Sequence, residues 1–306
     1  MKETIKYYYN IDVETLDEKE GRYHFKYDDK DFFFVYYNRL DKELNDIILC
    51  INSLKRKNIF CHEIIPNIKN ELLTKVNNYN YLLLMVTDPL KKYDLIDIDN
   101  FNKRLILNNY KGSLYRNNWS NLWSNKVDYF ENQISKLGLD KKIITNSFSY
   151  YIGLAENAIA IVNVINKKYS NIKGDIVLSH RRVFYPNYKL NYLNPLSFVF
   201  DLRVRDIAEY LKSMFFNGDI LDTFIELNAY LKIAKLNIYE LNMLWARLLY
   251  PTYYFDLYEQ VMNNNRTEDD LIKVIDKIDD YEKFLKKTYL ELSKYGQIEK
   301  VSWLIN

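Results

Sequence analysis

The residues whose types and spacing could do chemistry lie between Leu178 and Phe216. His180 stands in a polar loop and could act as a general acid or base, because an imidazole titrates near neutral pH. Asp201 is the carboxylate best placed to bind a metal ion or to accept a proton. Asn187 could offer an amide oxygen to Mg²⁺, although this ion normally takes carboxylate and phosphate ligands.

Two consecutive arginines, Arg181 and Arg182, indicate a second kind of chemistry. A guanidinium group forms paired hydrogen bonds with a phosphate or a carboxylate. The two side chains could therefore bind an anionic metabolite that is not a nucleotide. The alternative is an internal partner, since Asp201 is expected to pair with an arginine and to orient the loop; the candidates are Arg182, Arg203 and Arg205.

The elements that must position these side chains are short and change type quickly. The apolar run Ile176 to Leu178 predicts a buried strand, and Ser179 to Asn194 predicts a polar loop. Asp206 and Glu209 are three residues apart and predict a capped helix start, in which both are structural. The helix continues with an apolar stripe, formed by Ile207, Ala208, Leu211, Met214 and Phe215. A strand, a loop, a second strand and a capped helix are typical of the catalytic loop of phosphotransferases.

The same stretch resembles the catalytic loop of aminoglycoside phosphotransferases and related small-molecule kinases. His180 and Asn187 have the separation of that family's histidine and asparagine, and residues 206–208, Asp-Ile-Ala, resemble its Asp-Leu-Ala. Two carboxylates of the pattern are absent. The position of the catalytic base is Arg182, and the position of the metal-binding aspartate falls near Asn194.

A resemblance to the spore-coat-associated CotS/YutH branch of this kinase-like superfamily extends over most of the chain. It rests on the order of three blocks besides the loop: NNWSNLWSNKVDYFENQISKLG, SFSYYIGLAENAI and LLYPTYYFD. The resemblance implies an α+β fold with two kinase-like lobes, located in a bacterial cytoplasm or in the spore coat. It does not imply activity.

The predicted elements divide the chain into a small β-rich lobe, residues 1–87, and a helical lobe, residues 88–306, which contains the degenerate catalytic-type loop 178–206. The first lobe has a hairpin over residues 21–38, a helix from Asp41 to about Lys57, and strands at 64–76 and 81–86. Thr87-Asp88-Pro89 then predicts a hinge between the lobes. Beyond it the chain is mostly helical by periodicity, with long helices at 119–137 and 147–169.

The small lobe lacks the features with which active kinases hold nucleotide. The chain has only 7 glycines and no two are close, so it offers no glycine-rich phosphate loop. The predicted strand 31–38 contains no lysine for the phosphates. Lys26, Lys30 and Glu43 lie near that strand and are interpreted as solvated charges.

Composition adds few constraints on partners. The net charge is +2, from 43 basic and 41 acidic residues, which favours neither nucleic acid nor an anionic membrane. The 2 cysteines, Cys50 and Cys61, belong to no metal motif and are expected to be structural. No apolar run of membrane-spanning length is recognised, so a cytoplasmic protein is expected. The 29 tyrosines favour protein partners if they are exposed, and the alternative is that they fill the core.

The function predicted from these observations is that of a catalytically inactive kinase-like protein, which serves as a binding or structural module without a cofactor. Loss of the base, the metal carboxylate, the strand lysine and the glycine loop removes four separate contributions to phosphoryl transfer. The alternative is an atypical phosphotransferase that uses ATP and Mg²⁺ to modify a small hydroxyl- or amine-bearing substrate.

Overall fold

A computed structural model of the chain describes residues 1–19, 21–87, 93–106, 112–137, 140–186 and 192–305. Contacts between Cα atoms divide these residues into two compact units. The first unit takes its described residues from 1–92, 110–115 and 187–198, and the second from 93–109, 116–186 and 199–306. Asp88 and Pro89 of the predicted hinge lie outside the described residues.

The first unit is a six-stranded antiparallel sheet with two helices. The sheet order is β1-β2-β3-β6-β4, and β5 pairs with the other end of β6. The helices are α1 (Lys2–Tyr9) and α2 (Asp41–Arg56), and the strands are β1 (Asp17–Lys19), β2 (Arg22–Tyr27), β3 (Lys30–Tyr36), β4 (Glu63–Ile65), β5 (Thr74–Val76) and β6 (Tyr79–Met85).

The predicted hairpin is present as β2 and β3. Its two-residue turn places Asp28 and Asp29 at φ values of 47° and 57°, a left-handed conformation that aspartate tolerates better than most residues. Aromatic side chains then pack across the strands, with Phe25 stacked on Phe32 at 5.3 Å between ring centroids. The strand predicted over residues 31–38 instead runs from Lys30 to Tyr36, so it begins with a lysine, whose side chain is exposed.

The prediction of one strand over residues 64–76 was also wrong, since β4 ends at Ile65 and β5 begins at Thr74. Pro66 cannot donate a backbone hydrogen bond and therefore ends β4. The buried side chain of Asn67 holds the connecting loop, because its Oδ1 accepts hydrogen bonds from the backbone nitrogens of Lys69 and Glu71 at 2.9 and 3.1 Å.

Glu43, expected to be solvated, is buried at the start of α2. Arg39 donates to both of its carboxylate oxygens, at 3.2 and 3.3 Å. The same guanidinium donates to the carbonyl oxygens of Leu196 and Phe198, at 2.7 and 3.0 Å. Arg39 therefore fixes both the helix start and the segment that enters β8, and the periodicity of α2 contains no signal for this role.

The second unit contains most of the helices and carries the candidate site on a short two-stranded sheet, β7 (Ile176–His180) with β8 (Phe198–Leu202). A 3₁₀ helix, Pro195–Ser197, precedes β8. The helices are α3 (Leu95–Asn102), α4 (Trp119–Leu137), α5 (Lys142–Lys168), α6 (Val204–Asn217), α7 (Ile220–Ala234), α8 (Ile238–Leu249), α9 (Thr252–Met262), α10 (Asp269–Ile275), α11 (Ile278–Leu292) and α12 (Ser302–Ile305).

Helix α5 is the central helix of this unit, and it packs against α4 and α8. It begins at Lys142, five residues before the predicted start at Ser147. The hydroxyl of Ser147 instead shares a hydrogen bond of 2.9 Å with Tyr254 on α9. Among the described residues α5 is also the one helix that is long and apolar enough to cross a membrane, with 44% of its most apolar stretch buried inside the structure.

A buried ion pair joins α3 to the corner between β8 and α6. Arg203 donates to both oxygens of Asp99, at 2.6 and 2.7 Å, and to the carbonyl of Ala234 at 2.8 Å. Burial opposes the charge on Arg203, but the hydrogen bonds to Asp99 raise the pKa of the guanidinium above its ordinary value. Lys103 also contacts Asp99, at 2.7 Å, from a position that is one-third exposed.

We expect Arg203→Met to lower the free energy of unfolding by about 3 to 5 kcal/mol, because it leaves the buried carboxylate of Asp99 with less compensation. Lys103→Met is the matched control on the same carboxylate and should cost about 1 kcal/mol or less. Urea unfolding of the two variants measures the difference. Equal losses would contradict the assignment of Arg203 as the structural partner.

Candidate functional site

The candidate site lies where β7, β8 and α6 meet. Some of the predicted residues belong to this site, and others lie elsewhere or outside the described residues. His180 ends β7, two residues beyond the predicted end of that strand. Asn194 lies in the first unit, where its side chain accepts a hydrogen bond from the backbone nitrogen of Leu196 and starts the 3₁₀ helix. Asn187 lies outside the described residues.

Asp206 connects three elements and does not cap α6. The helix begins two residues earlier, at Val204, so Asp206 lies inside the first turn. Its carboxylate accepts hydrogen bonds from the backbone nitrogen of His180 at 3.0 Å and from Asn102 on α3 at 3.0 Å, and it lies 2.7 Å from Nδ1 of His180. The predicted cap was therefore wrong, while the carboxylate is buried and bonded within the protein.

His180 is fully buried in this arrangement. Its carbonyl oxygen accepts a hydrogen bond of 2.8 Å from Arg205, so both its ring and its backbone are tied to α6. A residue held in this way orients β7 against α6, and a substrate in solvent has no access to it.

Asp201 on β8 is fully buried, and both of its carboxylate oxygens are engaged. Trp119 on α4 donates its indole N–H to them at 2.8 and 3.0 Å. The backbone nitrogen of Leu202 donates to Oδ1 at 2.7 Å, and Arg205 pairs with Oδ2. The prediction that Asp201 pairs with an arginine is confirmed, and the partner is Arg205.

Arg182, at the position of the catalytic base, forms a bidentate ion pair with Asp256 on α9. Nε and Nη2 donate to the two carboxylate oxygens at 2.6 and 2.5 Å. Burial lowers the pKa of the guanidinium, but the charge of Asp256 and the hydrogen bonds to it more than compensate and raise that pKa. Arg182 therefore stays protonated and cannot accept a proton from a substrate.

Arg181 and Arg182 do not act together. The side chain of Arg181 is exposed, and its carbonyl oxygen accepts hydrogen bonds from Arg182 at 2.8 Å and from Arg205 at 3.2 Å. Arg182 instead lines a cavity of about 200 Å³ between α4, α8 and α9, and Arg181 is absent from its described lining. The other lining residues are Arg116, Trp119, Leu122, Trp123, Lys126, Arg205, Arg247, Tyr250, Thr252, Phe255, Asp256 and Glu259.

Glu209, predicted to help cap α6, instead belongs to a buried charge cluster. Lys212 and Arg247 donate to its Oε1 at 3.0 and 2.9 Å, and Thr252 donates to its Oε2 at 3.3 Å. Burial would raise the pKa of Glu209, but the two cations lower it well below its usual range. Burial lowers the pKa of Lys212 to about 8, although Glu209 opposes this shift.

The residues that sequence reasoning missed are Trp119 as a hydrogen-bond donor, Lys212, Arg247 and Asp256. A partial signal for the buried cluster was present in α6, since Glu209 and Lys212 lie among the apolar residues Ala208, Leu211 and Met214. Nothing in the sequence pairs either of them with Arg247, which is 38 residues from Glu209.

Glu209→Gln should lower the free energy of unfolding at pH 7 by about 3 to 5 kcal/mol, because it leaves Lys212 and Arg247 buried without their carboxylate. The lowered pKa of Glu209 means that its contribution is present above the unfolded value of about 4.3 and is lost as pH falls below it. The difference in the free energy of unfolding between wild type and variant should therefore become smaller in acid.

Chemical unfolding at several pH values measures this narrowing. Glu240→Gln is a matched control, because Glu240 is also buried but burial raises its pKa, so acid does not remove its contribution. A difference for Glu209→Gln that stays constant down to pH about 3 would contradict the depressed pKa.

Solved structures with a similar fold include small-molecule kinases. The AMP-bound spectinomycin phosphotransferase APH(9)-Ia aligns with a TM-score of 0.62 at 15% identity, over 94% of this chain and 96% of that one. An aminoglycoside phosphotransferase from Alicyclobacillus acidocaldarius aligns with a TM-score of 0.62 at 9% identity, over 94% of each chain. A microcompartment-associated aminopropanol kinase aligns with a TM-score of 0.56 at 10% identity, over 95% of this chain and 97% of that one.

These likenesses confirm the predicted α+β, two-lobed kinase-like fold class and say nothing about activity, since all three identities are low. A relative with higher identity is the endospore coat-associated protein YutH of Bacillus subtilis (strain 168), which is 28% identical over 212 residues. That match spans 61% of this chain and 61% of the relative. The model of the family described as spore coat putative kinase YutH matches residues 2–288. The chain therefore belongs to the YutH family of kinase-like spore coat proteins.

Proposed function

We propose that this protein is a catalytically inactive member of its kinase-like family and acts as a binding or structural module associated with the spore coat. The observation that carries the proposal is the state of Asp201 and Arg182. Asp201, the carboxylate where β8 meets α6, accepts a hydrogen bond from Trp119 and forms an ion pair with Arg205. Arg182, at the position where the family resemblance places the catalytic base, forms an ion pair with Asp256.

Mg²⁺ does not fit the described residues of this corner. A metal-binding carboxylate must present an oxygen lone pair, yet both oxygens of Asp201 accept hydrogen bonds inside the protein. The described part of the chain contains no group of three or more histidine, cysteine, aspartate or glutamate side chains that could hold a metal ion. We therefore propose that the protein uses neither Mg²⁺ nor ATP.

The first unit supports the same proposal. In active protein kinases a strand lysine pairs with a glutamate of the following helix and with the nucleotide phosphates. Here Glu43 on α2 is held by Arg39, which also bonds two backbone carbonyls, and the side chain of Lys30 is exposed. The glutamate is thus engaged in packing within the unit.

The relative's association with the endospore coat suggests where this protein acts, and we propose synthesis in the bacterial cytoplasm followed by coat association. Protein partners fit this role, since exposed aromatic side chains offer large contact area at low entropic cost. Tyr36 and Tyr79 are half exposed and pack edge to face on the first unit. Tyr151 and Tyr254, in contrast, are buried and stacked on each other, so some tyrosines fill the core while others are exposed for contact with a partner. We propose no nucleic acid or membrane partner.

Incubation with Mg²⁺ and ATP, alone and with small alcohols and amines, should give no ATP turnover above a no-protein control. Arg182→Asp restores a carboxylate at the position of the base and should remain inactive, because Asp201 is still bound by Trp119 and Arg205. Mass spectrometry of the substrates provides an independent readout. Magnesium-dependent turnover that disappears in Asp201→Ala would refute the proposal.

A further inference from the structure

The cavity between α4, α8 and α9 lies entirely within the second unit. Its volume of about 200 Å³ exceeds the share of a single water molecule, roughly 30 Å³, several times over. It is therefore large enough for a small organic molecule. Its lining joins Trp119, Trp123 and Lys126 of α4 to Arg247 of α8.

The lining of this cavity is strongly positive. Among the described residues that line it, five are cations and two are carboxylates. The carboxylates are Asp256 and Glu259, and each is already paired, with Arg182 and Lys126 respectively. Arg205 and Arg247 pair with Asp201 and Glu209, which lie outside this lining. Because Arg247 shares Glu209 with Lys212, the cations of the cavity and its buried neighbours still outnumber their carboxylates.

The buried cluster next to the cavity adds to the imbalance, since Lys212 and Arg247 share the single carboxylate of Glu209. Burial, followed by the charge of Arg205, lowers the pKa of Arg247, and burial lowers the pKa of Lys212 to about 8. Burial is the main cause of both pKa shifts, and for Arg247 the charge of Arg205 adds to it. A bound anion would offset the positive charge of two buried cations that share one carboxylate, and an anion close to these cations is attracted more strongly than it would be in bulk water.

Aromatic rings hold Arg247 in place. Trp119 stacks on Trp123 with centroids 5.2 Å apart, and Trp123 stacks on Tyr250 at 4.2 Å. The guanidinium carbon of Arg247 lies 4.8 Å from the ring centroid of Trp119. An arginine stacked in this way loses little side-chain freedom when it binds an anion, so the site is preorganised.

We propose that this cavity binds a small molecule with a multivalent oxyanion, either a phosphate monoester or a dicarboxylate, through Arg182, Arg247 and Lys126. The inference deepens the proposed function, since a binding module without phosphotransfer requires a ligand of another kind. The shared chemistry of the two ligand types is a planar or tetrahedral group of oxygens, which guanidinium donors recognise in pairs.

Two of the three sequence blocks that carried the family resemblance contribute residues to this cavity. Trp119, Trp123 and Lys126 belong to the first block, and Tyr250 and Asp256 belong to the last. The blocks are far apart in the chain, and the cavity is where their polar side chains meet. This convergence supports a role for the cavity beyond packing.

The test is a titration of the full chain without nucleotide or Mg²⁺. The probes are inorganic phosphate, glycerol 3-phosphate and malonate, with sodium chloride as the control at equal ionic strength. Fluorescence of Trp119 and Trp123 reports binding, because both line the cavity. At a hundredfold excess over the dissociation constant, a bound probe should raise the melting midpoint by roughly 2 to 4 °C.

Two substitutions in the cavity and one control elsewhere test whether the probe binds in the cavity or on another basic surface. Lys126→Gln should weaken binding by roughly tenfold, through loss of a charged contact. Lys168→Gln is the matched control and should leave binding unchanged, since Lys168 has a similar exposure and a similar glutamate partner, Glu299, away from the cavity. Melting of each variant without a probe checks that it is folded. Arg182→Gln provides a second variant with the same expected loss.

Preference for glycerol 3-phosphate or for malonate identifies the ligand class, and either preference supports the proposal. Absence of a fluorescence change and of a melting shift for all three probes at tens of millimolar would overturn it. Equal binding by wild type, Lys126→Gln and Arg182→Gln would also overturn it, because the anion would then bind elsewhere. None of these outcomes depends on ATP turnover. The proposal of anion binding can therefore fail while the proposal of catalytic inactivity holds, and catalytic inactivity can be refuted while anion binding holds.

Discussion

Helix α6 buries four charged side chains, and the corner around it is arranged so that each of them has a partner: Arg205, Asp206, Glu209 and Lys212. A buried ion without a partner costs several kcal/mol, so this constraint is strict. Arg205 forms an ion pair with Asp201 and donates a hydrogen bond to the carbonyl of His180. Asp206 accepts a hydrogen bond from the backbone nitrogen of His180 in β7. The positions of β7, β8 and the ends of α8 and α9 follow from these pairings.

The same pairings decide what chemistry the corner can support. A carboxylate that neutralises a buried arginine is not free to hold a metal ion, and an arginine locked on a carboxylate is not a base. Asp201 and Arg182 are in these two states. The fold has kept the strand, loop and helix of a kinase while its carboxylates serve internal structure, which supports our proposal of a binding or structural module.

Much of the fold could be predicted from the sequence, because periodicity and turn chemistry are local. The limits of α4 and of the hairpin formed by β2 and β3 agree with the predictions to within two residues. Predictions failed where a tertiary partner overrides a local motif. Asp206 resembles a helix cap but bonds to β7, and Glu43 resembles a surface charge but is held by Arg39. Ser147 was the predicted start of a helix but lies inside α5 and bonds to Tyr254.

The site was predictable only in part for the same reason. The prediction that Arg182 stands at the position of the catalytic base came from the loop itself. Its partner Asp256 is 74 residues away, and the indole that bonds Asp201 comes from a helix 82 residues earlier. No local pattern encodes pairs at such distances. The cavity depends on the same distant pairs, so its charge could not be derived from the loop.

The most direct test of the central claim is the melting midpoint of the full chain with ATP, with and without Mg²⁺. A ligand at a hundred times its dissociation constant adds about 2.7 kcal/mol to the free energy of unfolding, which for a chain of this size corresponds to roughly 2 to 4 °C. Our account predicts that Mg²⁺ produces no further shift at millimolar ATP, because Asp201 is already bound on both oxygens. A magnesium-dependent rise that is lost in Asp201→Asn would contradict it.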